Sequence, residues 1–435
     1  MRGVALLISV LLLVPLAHAL VAPRVDVEPL VAPFPTDITD AEVLMLLAPQ
    51  LGVAPTRLSI PQADLAGTSL GALVERFAAR AELVVTPEEV AAFDALDPRL
   101  ALPVATMLLA MEQAWTLRDR AFADWTPEEI EATQAALREG APLPRLPDPQ
   151  TMEDLVNAAI LLSDAIESIV IPQLQAAADA GVWPATAVAD AAGVLRVGGT
   201  GNDVETLDRF LMVDARGDDT YHNNAGGGFV SIATPQRSRP VAVAIDLRGN
   251  DVYRQPAVFP AFGAGAFGLG VLYALGGDDR YEPTSSGGSA GFGSLGVGIF
   301  RDTAGKDWHY GHSSLGYSNF GFGYFRDDGG DDYYRAWFSA GGFADNGGLG
   351  VFWDRGGTDS YVSSSGVVEL WGYSRRGGSG WFVDESTAED QWRALNGVPH
   401  PLACNDCTWA AGTDDGGQGN DNRGGLAAII ASTSP

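Results

Sequence analysis

The chain has 435 residues, and its 27 Lys and Arg against 55 Asp and Glu give a formal net charge of 27 − 55 = −28. Because affinity for phosphate groups comes from basic side chains, this charge argues against nucleic acid and against an anionic membrane surface as partners. Hydrophobic residues make up 46% of the chain, which excludes a globally disordered protein. Only 7 of the 53 glycines lie in the first 193 residues, so the two parts of the chain should fold differently.

The first 19 residues have the pattern of a secretory signal peptide. Arg2 supplies positive charge, residues 4–16 form an apolar run, and residues 17–19 (AHA) are a small-x-small cleavage signal. This apolar run is short for a membrane span, and no second apolar run of about twenty residues follows it. We therefore expect an exported protein, secreted, periplasmic or at the cell surface, with no transmembrane segment after signal cleavage.

A proline-rich linker and then a helical region are predicted to follow the signal peptide. The sequence TPEE occurs at residues 86–89 and 126–129, and each copy combines a capping Thr, a Pro at the first helical position and a Glu three residues after the Thr. Both copies are therefore predicted to start helices. Apolar residues at spacings of three and four predict two long core helices after Pro98 and Pro149.

From Gly198 the sequence changes to a repeat of the form Asp-x-x-Gly-x-Asp-x-Tyr, with Ala274 as the first residue of the third copy and His309 as the last residue of the fourth. The copies start at residues 214, 246, 274, 302, 327 and 354, and weaker copies flank them. Three short strands in each unit of about 28 residues favour a parallel β-solenoid, in which each coil pairs with its neighbours. The alternative is an antiparallel β barrel or sandwich, in which the turns are hairpin loops.

These patterns predict an α+β multidomain protein, in which an N-terminal α-helical bundle precedes an all-β repeat domain with a β-solenoid (β-helix) fold. The helices are expected to cap the first coil, whose strand edge would otherwise be open. The predicted organisation is a signal peptide at 1–19, a Pro-rich linker at 20–36, an α-helical domain at 37–193, an Asp/Gly-repeat β-solenoid domain at 194–392 and a C-terminal tail at 393–435.

The repeated aspartates of such a solenoid would form two columns. Equivalent residues of neighbouring coils lie about 4.8 Å apart, where two carboxylates repel by about 1 kcal/mol in water and by about 3.5 kcal/mol at an effective dielectric constant of 20. Bound Ca²⁺ would offset this repulsion; alternatively, each Asp only accepts backbone N–H bonds in its turn. The candidate metal ligands are Asp203, Asp214, Asp219, Asp246, Asp251, Asp279, Asp302, Asp307, Asp327, Asp332, Asp354 and Asp359.

Two segments carry a resemblance to a known family. Residues 198–203 (GGTGND) match the first six positions of the calcium-binding nonapeptide repeats of RTX proteins, and residues 277–281 (GDDRY) match the later positions. The region 198–361 thus resembles secreted bacterial Asp/Gly-rich β-solenoid repeat proteins, although its repeats recur at 25 to 32 residues instead of nine. The resemblance implies a parallel coil and Ca²⁺ bound at the glycine-rich turns.

Two further features are candidates for chemistry. His309, with Asp302 and Asp307 near it in sequence, is a weak candidate for general acid–base catalysis; the alternative is a polar substitution at a stacked aromatic position. Cys404 and Cys407 are the only cysteines, and in an exported chain such a pair is expected to form a disulfide.

The function expected from the sequence is that of an exported structural or surface-binding repeat protein stabilised by Ca²⁺; the sequence leaves enzymatic activity open but favours a protein that is not an enzyme. One alternative is a polysaccharide-active β-helix lyase or hydrolase, and another is a protein-assembly module that binds no ligand. The expected partners are divalent cations and either a polysaccharide or a cell-surface protein. Tryptophans of the repeat region would stack on sugar rings if exposed and would fill the coil interior if buried.

Overall fold

The computed structural model of the chain describes residues 34–35, 37–139, 141–186, 188–255, 260–283, 288–337, 339–363, 371–385, 390–394, 407–411 and 426–431. The predicted signal peptide, most of the predicted linker and Cys404 lie outside these residues, so export and the disulfide stay predictions.

The helices of the described residues lie between Asp40 and Asp179. Their starts follow the sequence signals: the Thr86 side chain accepts the Glu89 N–H while the Glu89 carboxylate accepts the Thr86 N–H, and residues 126–129 form the same reciprocal cap. The seven are α1 (Asp40–Leu47), α2 (Leu70–Arg80), α3 (Pro87–Asp94), α4 (Pro98–Ala121), α5 (Pro127–Glu139), α6 (Pro149–Ala165) and α7 (Ile171–Asp179).

From residue 189 onward the described chain forms short strands joined by turns and loops. They are β1 (Ala189–Ala191), β2 (Leu195–Val197), β3 (Val204–Glu205), β4 (Leu211–Asp214), β5 (Thr220–Tyr221), β6 (Gly228–Phe229), β7 (Val241–Asp246), β8 (Val252–Arg254), β9 (Gly265–Ala266), β10 (Leu269–Ala274), β11 (Arg280–Glu282), β12 (Gly293–Ser294), β13 (Val297–Asp302), β14 (Trp308–Gly311), β15 (Ser318–Asn319), β16 (Phe322–Asp327), β17 (Tyr333–Ala336), β18 (Ala344–Asp345), β19 (Leu349–Asp354), β20 (Ser360–Ser363), β21 (Ser379–Asp384), β22 (Gln391–Ala394), β23 (Cys407–Ala411) and β24 (Leu426–Ala431).

Three sheets, here called A, B and C, contain these strands. The order of sheet A is β1-β2-β4-β7-β10-β13-β16-β19-β21-β23-β24, that of sheet B is β3-β5-β8-β11-β14-β17-β20-β22, and that of sheet C is β6-β9-β12-β15-β18. Each coil passes through a strand of sheet A, the Gly-x-Asp turn, a strand of sheet B and, in the central coils, a strand of sheet C. The fold is therefore a β-solenoid of about six turns, and the predicted solenoid is confirmed.

The register of the strands agrees with the sequence repeat. Asp302 of β13 pairs with Asp327 of β16, which pairs with Asp354 of β19, and all the pairings between successive coils are parallel. Among the described residues, antiparallel ladders occur only at the two ends of sheet A, between β1 and β2 and among β21, β23 and β24. This pairing excludes the antiparallel barrel or sandwich.

Sheet A separates two apolar cores. Val243 and Ile245 point outward and pack with the helices, whereas Ala244, between them, points into the coil. Phe300, Phe325 and Phe352 stack inside successive coils with ring centroids 4.8 and 4.9 Å apart. The alternation of inward and outward side chains along each strand lets one sheet serve both cores.

The helices occupy a different place from the expected end cap. α3 lies against β1, but α4 and α6 pack on β7, β10 and β13 in the middle of sheet A, so the helical region lies along the outer face of that sheet. The α4 helix and the continuous run Pro149–Asp179 are apolar and long enough to cross a bilayer, and 72% of each apolar window is buried in the fold. Packing against sheet A accounts for this apolar composition.

Candidate functional site

The repeated aspartates lie inside the coil. The second Asp of each repeat and the aromatic residue two positions later point to the same side of the chain, and the first Asp follows the inward-pointing residue of sheet A by two positions. Apart from Asp203, every predicted metal ligand is at most 6% exposed: Asp214, Asp219, Asp246, Asp251, Asp279, Asp302, Asp307, Asp327, Asp332, Asp354 and Asp359.

The second aspartates form a ladder of hydrogen bonds along the solenoid. In each coil the Oδ1 atom of this residue accepts the backbone N–H of the equivalent Asp one coil earlier, at N···O distances of 2.6–2.8 Å. Asp203 takes part only through its backbone N–H, which Asp219 accepts, because its carboxylate pairs with Arg196 at 2.6 Å. At the other end Asp390, which lies in the degenerate last repeat, accepts the N–H of Asp359.

The first aspartates are held by their own turns and by a column of tyrosines. The Oδ1 atoms of Asp214, Asp246, Asp327 and Asp354 accept the backbone N–H two residues later at 3.1–3.2 Å. Tyrosine hydroxyls donate to the Oδ2 atoms, for example from Tyr334 to Asp327 at 2.9 Å. These contacts are the turn chemistry that the sequence offered as the alternative to calcium.

Burial changes the acidity of these carboxyl groups. Desolvation, followed by repulsion from Asp246 and Asp219, raises the pKa of Asp214 to about 9. Desolvation, followed by repulsion from Asp327 and Asp279, raises the pKa of Asp307 to about 10. Aspartates with a pKa above 7 hold their protons at neutral pH unless a bound cation replaces them.

The fourth repeat departs from this pattern. His309 takes the place of tyrosine and stacks between Tyr281 and Tyr334, with ring centroids 4.8 and 5.1 Å away. Its Nε2 lies 3.3 Å from Asp327 Oδ2 without the alignment of a hydrogen bond. Asp302 Oδ1, Asp307 Oδ2 and both ring nitrogens of His309 are buried without a hydrogen-bond partner among the described residues. Leaving one such buried group unsatisfied costs about 1–3 kcal/mol.

The structure brings predicted ligands together in three clusters, in each of which the donor atoms lie within 4.8 Å of one another. Two clusters contain only carboxylates, and the third includes the histidine. The clusters are Asp219 with Asp246 and Asp251, Asp307 with Asp327 and Asp332, and Asp302 with Asp307 and His309. His309, the weak catalytic candidate, is 0% exposed, so acting directly on an external polymer would require the coil to open.

The outer face of sheet B carries exposed aromatic residues that the repeat pattern did not identify. Trp308 and Trp337 are 40% and 43% exposed, whereas Trp353 and Trp371 are buried. The ring of Trp308 lies 5.0 Å from that of Tyr333 on the neighbouring strand and 6.3 Å from that of Tyr310. The outward residues of β14 and β17 alternate along the strand with the buried residues of the aromatic column. This alternation in the sequence could have identified the exposed residues.

Arginines lie among these rings. The Arg280 guanidinium is 5.6 Å from the Trp308 ring centroid, and the Arg335 guanidinium is 5.5 Å from that of Trp337. We call the group Arg280, Trp308, Tyr310, Tyr333, Arg335 and Trp337 the aromatic face. Glu282, beside it, forms salt bridges with Arg254 and Arg280. Arg254, Arg280 and Arg335 thus outnumber the one acid, Glu282, among the outward side chains of these strands, in a chain of net charge −28.

A cavity of about 430 Å³ lies between α7 and the outer face of sheet A. Arg301, Arg326 and Arg355 line it, but acids of the fold already pair with each of them; Asp328, for example, lies 2.6 Å from Arg301 and 3.1 Å from Arg355. The cavity is therefore better explained by the junction between helices and sheet than by an anion site.

Comparisons of the chain with protein-family models, with curated proteins and with solved structures find no match.

Proposed function

We propose that the chain is an exported surface-binding repeat protein whose aromatic face binds an anionic polysaccharide. The observation that supports this function is the exposure of Trp308 and Trp337 next to Arg280 and Arg335 on one flat face of the solenoid. Exposed tryptophans beside unburied arginines have no role in the core of this fold. They are the side chains expected where a protein contacts a ligand.

The chemistry of the face fits an acidic sugar polymer. The C–H groups of a sugar ring pack on aromatic rings. A guanidinium binds a carboxylate with two parallel hydrogen bonds, and we assign this role to Arg335 because Arg280 already pairs with Glu282. The net charge of −28 repels such a polymer over the remainder of the surface, so its attraction is confined to the positively charged region. Trp308 and Tyr333 occupy equivalent positions of neighbouring coils, so the aromatic face extends along the solenoid axis over two coils.

Binding of the purified chain to polygalacturonate, measured by isothermal titration calorimetry, tests this function. We expect Trp308→Ala and Arg335→Ala each to weaken binding about tenfold, which corresponds to about 1.4 kcal/mol. Arg248→Ala is the matched control, because it removes an exposed arginine outside the aromatic face and should leave the affinity unchanged. Neutral dextran should bind more weakly than polygalacturonate at low salt.

Three results would overturn the proposal. One is wild-type affinity in both variants of the aromatic face, and another is equal binding of dextran and polygalacturonate. The third is tighter binding of a single-stranded oligonucleotide with the same dependence on Trp308 and Arg335, because aromatic rings and arginines also bind unpaired bases.

The two alternative functions predict different results in the same experiment. A polysaccharide-active enzyme would release shorter chains from the bound polymer. An assembly module would bind no polysaccharide and would associate with itself or with another protein. Because His309 is fully buried, the enzyme alternative now needs catalytic residues on the surface of the coil.

We also propose that divalent cations stabilise the interior, with Ca²⁺ as the candidate from the sequence. The support is the pair of carboxylate clusters around Asp246 and Asp327, because closely spaced oxygens are the ligands that Ca²⁺ prefers. Unfolding and refolding in excess EDTA should lower the melting temperature, and added Ca²⁺ should restore it. An unchanged melting temperature would contradict this proposal and leave protons as the groups that neutralise the aspartates.

A further inference from the structure

The fourth repeat lacks two of the contacts that satisfy the aspartates elsewhere, although Asp307 keeps its place in the ladder and Asp302 Oδ2 accepts the Tyr281 hydroxyl at 2.7 Å. In the other repeats that begin with Asp, the first Asp accepts an N–H from its own turn, for example Asp327 from Gly329 at 3.1 Å. Among the described residues, Asp302 Oδ1 accepts no such hydrogen bond. The fourth repeat also has no tyrosine hydroxyl to donate a hydrogen bond to the nearby aspartates, because His309 takes that position in the column.

The three residues that hold these unpartnered atoms lie close together. One donor atom each from Asp302, Asp307 and His309 lie within 4.8 Å of one another, and all three side chains are fully buried. Neighbouring ligands of a tetrahedral metal ion bound at about 2.0–2.3 Å are about 3.3–3.8 Å apart. The cluster therefore needs only small side-chain shifts to surround one ion, and His309 contributes the unpartnered buried nitrogen that points to it.

We propose that Asp302, Asp307 and His309 bind one divalent transition-metal ion, with Zn²⁺ as the best fit. Imidazole nitrogen suits Zn²⁺ and similar ions, whereas Ca²⁺ takes six to eight oxygen ligands. Two carboxylates and a neutral imidazole balance the charge of a dication, and Asp327 as a fourth ligand would bring the total to −1, so the ion offsets most of the electrostatic cost of burying the acids. The inference rests on the proposal that cations neutralise the interior, but it assigns Asp307, which the Asp307–Asp327–Asp332 cluster shares, to Zn²⁺ and leaves the cluster of Asp219, Asp246 and Asp251 as the separate calcium candidate.

The surroundings indicate a structural role for the metal. Asp327 Oδ2, which is 3.3 Å from His309 Nε2, is the nearest group for a fourth ligand, and four protein ligands leave no open position for a substrate. The rings of Phe300 and Phe325 lie edge-on to His309 at 5.6 and 5.1 Å and close the apolar side of the site. The ion would thus bind during folding and exchange slowly afterwards.

Refolding with defined metals tests the site. The purified chain is unfolded with EDTA, refolded with Zn²⁺, with Ca²⁺ or without metal, and separated from free ions by gel filtration before its metal content is measured. We expect one bound Zn²⁺ per chain, retained in the presence of excess Ca²⁺. Co²⁺ in place of Zn²⁺ should give a visible absorption band that reports nitrogen and oxygen ligands.

His309→Tyr is the decisive variant because it restores the residue of the other repeats. It should lose the bound Zn²⁺, and without metal it should melt at a higher temperature than the wild type. His222→Ala, which removes a histidine outside the cluster, should keep the Zn²⁺. Asp302→Asn, which preserves side-chain size, should weaken Zn²⁺ binding at least tenfold and gives a second test should His309→Tyr not fold.

The inference is overturned if the wild type retains no Zn²⁺, if Ca²⁺ displaces Zn²⁺, or if His309→Tyr or Asp302→Asn binds Zn²⁺ as the wild type does. Its failure is separable from that of the other proposals. Stabilisation of His309→Tyr by Ca²⁺ would show that the carboxylate clusters bind calcium whether or not zinc binds. Polygalacturonate binding by His309→Tyr would show that the aromatic face acts independently of the metal.

Discussion

The glycines at the Gly-x-Asp turns bring the backbones of successive coils into contact. Gly277 has a φ of +137°, and a Cβ atom there would overlap the carbonyl oxygen of Gly249 in the preceding coil. Gly356 also has a positive φ, +156°, but a Cβ atom would meet nothing within 4 Å. Substitutions at the two positions therefore distinguish the cost of backbone strain from the cost of a clash with the neighbouring coil.

We expect Gly277→Ala to destabilise the protein by at least about 2 kcal/mol, because strain at a positive φ adds to a steric clash with neighbouring backbone. Gly356→Ala has the strain alone and should cost about 1 kcal/mol. Urea unfolding of the two variants measures the difference. Equal losses of stability would show that the neighbouring coil can move away from the added methyl group.

The buried aspartates could be located only in part from the sequence. The two-residue step from Asp279 to Tyr281 places both on one side of a strand, and this step was visible in the repeat. Their burial inside the coil could not be read from the repeat, because buried carboxylates are rare and costly. The tyrosine hydroxyls and the hydrogen bonds between coils that satisfy them depend on contacts 21 to 32 residues apart, which no local pattern contains.

The junction between the helices and sheet A depends on one buried acid at the start of α1. Asp40 is 0% exposed and accepts hydrogen bonds from Tyr273 at 2.7 Å, from Tyr324 at 2.9 Å and from Arg326 at 2.9 Å. Burial by itself would raise the pKa of Asp40, but Arg301 and Arg326 together with the two tyrosine hydroxyls lower it. The carboxylate thus stays charged and joins α1 to three strands of sheet A.

Asp40→Asn should cost about 3 kcal/mol, because removing one partner of a buried charge network leaves arginine charge uncompensated. Glu131→Gln is the control, since Glu131 is exposed on α5 and an exposed acid should contribute at most about 1 kcal/mol. Thermal unfolding and limited proteolysis between α1 and β1 check the prediction. Equal stability of the two variants would mean that apolar packing alone holds the helices on the sheet.

The individual elements were easier to predict from sequence than their packing. The TPEE segments fixed the starts of α3 and α5 because the caps involve residues only three positions apart. The 25- to 32-residue period predicted the length of each solenoid coil, because one repeat makes one turn. The side-by-side docking of helices on sheet A depends on outward side chains such as Val243 and Tyr273, which look the same in sequence as residues buried within a coil.

The whole molecule should respond to pH through its interior. Burial raises the pKa of Asp214 to about 9 and, opposed by a hydrogen bond from the Asp203 backbone, raises that of Asp219 to about 7. Their ordinary value is 3.8, so folding takes up protons above about pH 4. Stability from these groups is fully present below pH 3.8 and is lost as the pH rises through 7 and 9.

In EDTA, we expect the melting temperature to fall between pH 5 and pH 9. Repulsion within a chain of net charge −28 acts in the same direction. The series is therefore repeated in 0.5 M NaCl, which screens the surface charges but not the buried ones. A melting temperature that does not change with pH at high salt would show that the interior aspartates are neutralised by something other than protons.

The aspartate ladder gives the solenoid a direction. Because each carboxylate accepts the N–H of the coil before it, a coil is completed only by residues that come later in the chain. A chain that emerges N-terminus first can therefore close its coils in the order in which they appear, and the newest coil is always the unfinished one. Truncation therefore has a different effect at each end. Loss of a C-terminal coil leaves a backbone amide without an acceptor, whereas loss of an N-terminal coil leaves a carboxylate without a donor.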